Sequence, residues 1–457
     1  MAHSFIRRTT TAFAVIALAL GALGCDTVPI LDLSGALSSL IPDLSVSGTQ
    51  PDGATAEVSS VEGVIIERTD NNDAFDEAQA ATVALGEDLT LEGRIDMRGD
   101  VDFYALGPAA VGDRLTIDVI GHAGLNTVAA LFNADGDLID ANDDRSFYGG
   151  RLDPRIVRVI RTDAPNCFLG VAVSSAAFFA SNQGRFDSGS YTIKVRREAG
   201  ELPPALRRQI VWLDFEGGDR VQIGLEPIEQ MNPFGTEAIS PRLAGRTDEV
   251  IERALGLIAL DFADYDVVLL DSRHDPRPTE PHSELFFGNF SNRYLGLADN
   301  VDTGNASLQQ EAIIYTETLR LFETLRPSAE EIAQAVANVA SHELGHLLGL
   351  EHTGDSRDLM ATAATARQVL EHDAQFLRVV LNPGVFPAGL QNAPMTLLQN
   401  VGRSTGTNAR VRLMDVLPTP DRSFRDAIDP ADFPVIPICG RCAAGAGATT
   451  STPTAGY

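Results

Sequence analysis

Residues 340–360 read ASHELGHLLGLEHTGDSRDLM. Each residue of an α-helix turns the chain by ~100°, so His342 and His346 project from one helical face about 40° apart. One metal ion can therefore bind both imidazoles. On the same geometry Glu343 projects ~100° from His342, which places its carboxylate beside a metal-bound water and not among the ligands.

The residues that follow predict the end of this helix and a third ligand. Gly349 is the residue type that allows a helix to end in a left-handed turn, after which His352 can return to the metal. Three neutral imidazoles leave a fourth tetrahedral position open, which is the pattern of catalytic zinc. The alternative is an exposed polar helix turn, which leaves unexplained why three histidines stand among largely apolar neighbours.

The beginning of the helix is also visible. Ser328, with Glu331 three residues later, forms a capping box, and Ile332, Val336 and Val339 then follow helical spacing. The sequence therefore predicts one helix over residues 328–350.

HELGHLLGLEH resembles the zinc signature of the metzincin metallopeptidases. Asp358-Leu359-Met360 resembles their Met-turn, a hydrophobic floor beneath the metal, and the spacing from His352 to Met360 is similar to that of the matrixin branch. The resemblance covers residues 209–360. It implies a zinc endopeptidase with one catalytic Zn²⁺ on His342, His346 and His352.

The same resemblance assigns the remaining roles. Glu343 would act as general base and then as general acid, and protein or peptide substrates are implied. Residues 312–315 would be the edge strand that pairs with an extended substrate. Thr362 stands where other metzincin branches often have a tyrosine, so no tyrosine ligand is implied.

Composition limits the other functions that the chain can have. The 457 residues suggest about three domains, and 44% apolar residues are enough for more than one core. Lys and Arg number 35 against 63 Asp and Glu, giving a net charge of 35 − 63 = −28. This charge repels phosphate backbones and argues against nucleic-acid binding.

The first 24 residues predict a signal peptide. Arg7 and Arg8 precede an apolar run, AFAVIALALGALG, that is too short for a permanent membrane span. Small residues before Cys25 resemble a bacterial lipoprotein cleavage site, which implies lipid chains on Cys25 as the only membrane attachment. The alternative is an ordinary secretory signal. Either reading predicts an exported protein, anchored in the cell envelope or secreted.

Composition shifts divide the remainder of the chain. Residues 25–75 read as a low-complexity linker, residues 76–198 as an antiparallel β-sandwich, residues 205–416 as the metzincin-like domain, and residues 417–457 as a disordered tail. Pro203-Pro204 marks the central boundary. The predicted fold class is a β-sandwich followed by an α+β catalytic domain with a mixed, twisted sheet and a zinc-binding helix.

The predicted sandwich resembles the bacterial pre-peptidase C-terminal domain, a module attached to secreted peptidases. The motifs that carry this resemblance are Gly99-Asp100-Val101-Asp102-Phe103-Tyr104, Ala130-Leu131-Phe132, Asn142-Asp143-Asp144 and Gly189-Ser190-Tyr191-Thr192. Here the module precedes the catalytic domain, so no role in processing is carried over.

Several weaker patterns leave two interpretations open. Two sets of oxygen ligands can bind Ca²⁺ or form a solvated or capped turn: Asp140, Asp143 and Asp144; Asp299, Asp302 and Asn305. His274, Asp275 and His282 lie in a Pro-rich loop, where matrixins hold a structural zinc, but a solvated loop is the favoured reading.

The cysteines admit similar alternatives. Cys439 and Cys442 form a small disulfide loop or a redox pair, and we favour the disulfide in an exported chain. Cys167 is predicted to lie in a buried strand and not to be the latency cysteine of matrixins, whose pro-segment motif is absent from the sequence.

Three functions remain open at this point. The first is an active zinc endopeptidase. The second is a surface-attached binding protein with a degenerate or non-proteolytic zinc site, which the intact Glu343 disfavours. The third is a zinc enzyme that acts on a non-protein amide.

Overall fold

The computed structural model describes residues 60–61, 64–68, 72–97, 99–145, 152–174, 188–405 and 436–439. The predicted signal peptide, Cys25 and Cys442 lie outside these residues, as do most of the predicted linker and tail. No helix in the described ranges is long and apolar enough to cross a membrane.

Two β-sheets form from the first half of the described chain, which we call the two-sheet region (residues 60–200). Its strands are β1 (Ser60–Val61), β2 (Val64–Ile66), β3 (Gln79–Ala80), β4 (Asp88–Ile95), β5 (Val101–Ala109), β6 (Arg114–Gly121), β7 (Thr127–Phe132), β8 (Leu138–Asn142), β9 (Arg155–Val159), β10 (Ala164–Val173) and β11 (Gly189–Glu198). The strand orders are β1-β2-β4-β11-β6-β9 and β3-β5-β10-β7-β8. The long strands pair antiparallel, and only the short β2 and β3 pair parallel, with β4 and β5.

Residues of both sheets form one apolar core. Strand β6 shows the period-two pattern of a strand with one buried face, because Leu115, Ile117 and Val119 are buried and alternate with partly exposed residues. The strands β1 and β2 lie within the stretch predicted to be a linker. Its last part therefore belongs to the first sheet.

A five-stranded mixed sheet and two long helices form the second half. The elements are β12 (Gln209–Asp214), α1 (Thr247–Asp261), β15 (Val267–Asp271), β16 (Ser283–Gly288), β17 (Gly296–Ala298), β18 (Glu311–Tyr315) and α2 (Ala329–Leu347). The strand order is β15-β12-β16-β18-β17, parallel except for the antiparallel β17. The expectation that residues 312–315 form the edge strand is wrong, because β17 pairs outside β18 and takes the edge.

Shorter elements complete this half. They are the hairpin β13 (Gly218–Ile223) and β14 (Glu226–Met231), 3₁₀ helices over Thr236–Ala238, Pro241–Leu243 and Thr316–Leu325, then β19 (Ala363–Ala364), α3 (Ala366–Glu371), β20 (Arg378–Val380), β21 (Leu390–Asn392), α4 (Ala393–Asn400) and β22 (Ile436–Pro437). The predicted disordered tail thus contains a described strand, because residues 436–437 pair with β19.

Helix α2 forms where the sequence predicts it. The Ser328 hydroxyl accepts from the Glu331 N–H, and the Glu331 carboxylate accepts from the Ser328 N–H, which is the predicted capping box. After the last turn Gly349 adopts a φ of +93°, and its N–H donates to the His346 carbonyl. The chain therefore reverses directly behind the helix.

An apolar cluster joins the two halves of the molecule. Phe386, which follows β20, is buried against Phe103 of β5 and Phe132 of β7 on the outer face of the second sheet. Gly170 of β10 makes room for this ring, since a Cβ there would lie 2.6 Å from Phe386 Cζ. Because Phe386 covers this face, β7 is buried on both sides.

Replacing Phe386 with Ala should therefore cost about 3–5 kcal/mol of unfolding free energy, because it opens a cavity in this cluster. Denaturant unfolding would measure the loss. Phe290→Ala is the matched control, because Phe290 is 37% exposed and should change stability by less than about 1 kcal/mol. Equal losses in the two variants would contradict the packing role of Phe386.

Candidate metal centre

The three histidines of the signature meet in the interior of the second half. His342 and His346 are fully buried on α2, and His352 is 6% exposed in the chain that returns after Gly349. The Nε2 atoms of His342 and His346 lie 3.1 Å apart, and those of His346 and His352 lie 3.0 Å apart. Tetrahedral Zn²⁺ with Zn–N bonds of ~2.0–2.1 Å separates its nitrogens by about 3.3 Å, so this donor set fits zinc.

Hydrogen bonds at the other ring nitrogens define the tautomers. His342 Nδ1 donates to the Leu359 carbonyl at 2.6 Å, and His346 Nδ1 donates to the Leu350 carbonyl at 2.8 Å. The Nε2 atoms of these two rings consequently carry lone pairs, which face each other without a proton between them. Burial lowers the pKa of His342 to about 4, with the Leu359 bond opposing it. A cation is the natural partner for these lone pairs.

Met360 lies next to the helix that carries His342 and His346. It is fully buried, and its carbonyl accepts from the Thr353 N–H, which links the chain after His352 to the turn. Gly345 of α2 allows the close approach, since a Cβ there would lie 2.6 Å from Met360 Sδ. The residue predicted to form a hydrophobic floor is therefore close to helix α2.

Glu343 lies beside the histidines with its carboxylate fully buried. Its Oε1 has no hydrogen-bond partner within the described parts of the chain. Burial raises the pKa of the Glu343 carboxyl well above its usual range. A nearby dication would favour the ionised form, so the histidine cluster and this carboxylate are chemically suited to each other.

Gly296 is a further residue of the site that no motif predicted. This residue begins the edge strand β17, and a Cβ at its position would lie 2.3 Å from Glu343 Oε1. Any other side chain there would displace the carboxylate. The pairing of β17 with β18 creates this contact, and no local sequence pattern announces it.

Cys439 was also missed as a site residue. Its Sγ lies 3.5 Å from Glu343 Oε2, and it belongs to the group whose ligand atoms, with those of the three histidines, lie within 4.8 Å of one another. The preference for a disulfide with Cys442 stays a prediction. Cys439 follows the histidines by some 90 residues, so only a strong motif around it could have predicted that it reaches them. The sequence around Cys439 contains no such motif.

The matrixin family model matches residues 298–375. The matched segment includes β18, α2, the three histidines and Met360. It supports a metzincin-like zinc metallopeptidase at the level of the family. The sequence matches none of the curated proteins with which it was compared.

Solved structures resemble parts of the chain. One is the pre-peptidase C-terminal domain of a collagenase from Bacillus anthracis, at 15% identity and a TM-score of 0.19, covering 26% of this chain and 96% of that one. Another is the archaemetzincin of Methanopyrus kandleri, at 13% identity and a TM-score of 0.21, covering 38% and 91%. A third is the periplasmic lysozyme inhibitor PliG of Aeromonas hydrophila, at 16% and 0.20, covering 26% and 98%. At these TM-scores we draw no conclusion from the likenesses.

The calcium interpretation is not supported. Asp302 accepts from the Ala306 and Ser307 N–H groups, which is a capped turn. The two carboxylate oxygens of Asp299 accept from the N–H groups of Gly224 and Glu311, which are distant in the sequence. Burial raises the pKa of Asp140 and that of Asp143 to about 6. Asp140, Asp143 and Asp144 do not bring three ligand atoms together in the part of the chain that the structure describes.

The Pro-rich loop contributes a second, weaker group of metal-ligand atoms. His274 approaches Glu252 and Asp271, and apart from the histidine cluster this is the one such group in the described ranges. Arg273 already forms ion pairs with both carboxylates at 2.6–2.9 Å. A resident cation at this position would compete with the guanidinium. Cys167 lies buried in β10, as predicted.

The two-sheet region supports the third histidine. The Asn382 N–H donates to the His352 carbonyl at 2.9 Å, and Leu381 pairs with Thr353. Leu381 belongs with Phe386 to the apolar cluster on the second sheet. The position of His352 therefore depends on packing outside the local motif.

We expect His352→Ala to weaken Zn²⁺ binding by at least about 100-fold, since two imidazoles on one helix remain. Competition with a chromogenic chelator would measure the affinity. His372→Ala is the matched control, because this side chain is exposed and outside the cluster. Unchanged affinity in His352→Ala would exclude His352 as a ligand.

Proposed function

We propose that the chain is a zinc-dependent endopeptidase whose metal is held by His342, His346 and His352. The observation that carries the proposal is the convergence of three imidazole Nε2 atoms beside the buried Glu343 carboxylate. It lies within the segment that matches the matrixin model. The proposed catalytic domain is residues 205–416, preceded by a sandwich over residues 76–198.

The side chains of the site have separable roles. Zinc, when bound, polarises the scissile carbonyl and lowers the pKa of a bound water to ~7. Glu343 takes a proton from the attacking water and passes it to the leaving amine. Because Gly296 leaves room for the Glu343 carboxylate, the general base lies directly beside the edge strand β17.

The edge strand is suited to an extended peptide. The N–H groups of Leu295 and Gly296 point away from β18, toward the segment 436–439. A substrate backbone that pairs with these groups would place its carbonyl near Glu343 and the histidines. Peptide or protein substrates therefore suit this groove better than a small non-protein amide does.

A second candidate is a non-proteolytic zinc site in a surface-attached binding protein. The observation in its favour is Cys439, because three histidines and one cysteine would fill all four positions of a tetrahedral zinc, as the ligands of a structural site do. Metal held in this way would leave no position for water. The two candidates differ in whether removal of Cys439 yields hydrolysis.

We expect Glu343→Gln to lower peptide hydrolysis by about 10²–10⁴-fold while zinc is retained, because the amide accepts no proton from water. Hydrolysis of a proteome-derived peptide library, with and without a chelator, and metal analysis would measure the two effects. Glu330→Gln is the matched control on the same helix, at its far end and paired with Arg253.

The outcomes separate the candidates. Chelator-sensitive cleavage that Glu343→Gln abolishes supports the endopeptidase. Full activity in Glu343→Gln would contradict the role of this carboxylate. One tightly held zinc with no hydrolysis in any variant would favour the binding protein.

We also propose that the protein is exported, as an envelope lipoprotein anchored through Cys25 or in secreted form. The support is the charged start, the apolar run and the small residues before Cys25. We expect Cys25→Ser to move the protein from the membrane to the soluble fraction, because the lipid anchor is lost. A wild-type protein found only in the soluble fraction would contradict lipidation.

A further inference from the structure

Residues 436–439 lie in the groove of the candidate site. We call them the C-terminal segment. On one side the Leu295 N–H donates to the Pro437 and Ile438 carbonyls, and the Gly296 N–H donates to Ile438 at 2.7 Å. On the other side the Ile438 N–H donates to the Thr362 carbonyl. The segment is therefore an added strand between β17 and β19.

The two side chains at the end of this segment point to different parts of the site. Ile438 is buried and lines a small cavity together with Val339 of α2, Leu359 and Val369. Cys439 is fully buried, and its Sγ lies beside the histidines and Glu343. One short segment thus meets the edge strand, an apolar cavity and the metal ligands together.

We propose that the C-terminal segment is an intramolecular inhibitor in which Cys439 supplies a fourth ligand to the metal. The proposal rests on the proposed function. It is carried by the strand pairing on both sides of the segment, by the Cys439 Sγ, which lies 3.5 Å from Glu343 Oε2 and within 4.8 Å of the histidine ligand atoms, and by the other oxygen of this buried carboxylate, Oε1, which has no partner among described residues.

The chemistry of ligation is balanced by groups at the site. The S–H bond of Cys439 breaks and a sulfur–metal bond forms, while the proton passes to Glu343 Oε2, which already accepts from Sγ. Thiolate is a strong zinc ligand, with Zn–S bonds of ~2.3 Å. Ligation would therefore remove the position for water.

The segment also excludes substrate by geometry. The Leu295 and Gly296 N–H groups that an extended peptide would use already donate to the segment. Because the segment belongs to the same chain, its effective concentration at the groove exceeds that of a free peptide. The C-terminal segment is held in the groove only by short strand pairing, by the side chain of Ile438 and by Cys439 as a ligand. Cleavage or displacement of the segment would therefore open the site.

The test uses the full chain loaded with Co²⁺ in place of zinc. We expect a sulfur-to-cobalt charge-transfer absorption in the wild type. C439S should lose this absorption and retain the ligand-field bands of the histidine site. Its peptide hydrolysis should rise about tenfold or more, as expected if the segment closes about 90% of wild-type molecules. C442S is the matched control and should behave as the wild type.

A second measurement uses the unaltered chain, so it decides the proposal even if C439S does not fold. Alkylation followed by peptide mapping reports each cysteine separately. Cys439 should react far more slowly in the metal-loaded protein than after chelation, while the buried Cys167 stays protected in both states. Rapid alkylation of Cys439 in the loaded protein, or a Cys439–Cys442 disulfide in the unreduced map, would overturn the proposal.

The proposal and the proposed function fail in different ways. Wild-type protein that binds Co²⁺ without the sulfur absorption and cleaves peptides at the C439S rate overturns inhibition alone. C439S that keeps the histidine bands and cleaves nothing overturns both, and leaves a closed structural site. Absence of Co²⁺ binding in wild type and variant also overturns both.

Discussion

Three imidazole nitrogens that face one another in a buried space are the constraint on which the second half of the molecule depends. The lone pairs of His342 and His346 repel each other unless a cation lies between them, and the Nδ1 bonds to Leu359 and Leu350 prevent these two rings from turning away. Those two carbonyls belong to the Met-turn and to the chain after Gly349. Helix end, turn and ligand orientation are therefore one mutually dependent arrangement.

The constraint extends to the two-sheet region. His352 is held from behind by the Asn382 N–H, and the neighbouring Leu381 and Phe386 are buried on the outer face of the second sheet. A polar contact adds to this, since Arg378 donates to Asp137 at 2.6 Å. The two-sheet region thus contributes to the site by holding the backbone of His352 in position.

Features defined by short-range spacing were predictable from the sequence. The capping box at Ser328, the shared face of His342 and His346, and the left-handed Gly349 each depend on residues within about one or two helical turns. The edge position of β17 and the approach of Cys439 were not predictable. Both depend on which distant strands pair, and a two-residue strand in a Gly- and Ala-rich tail has no periodicity to reveal it.

The groove explains why substrate pairing and self-inhibition fall on the same residues. An edge strand beside a metal must leave its N–H groups unpaired for substrate. Such groups readily form hydrogen bonds with any other strand that reaches them. The C-terminal segment reaches these N–H groups. The edge strand must also lack a side chain at Gly296, because a side chain there would leave no room for Glu343. A chain that occupied the edge without a metal ligand would compete with substrate only through backbone bonds. Cys439 adds a contact that an ordinary peptide cannot make, which favours the chain's own segment until the sulfur is removed from the metal.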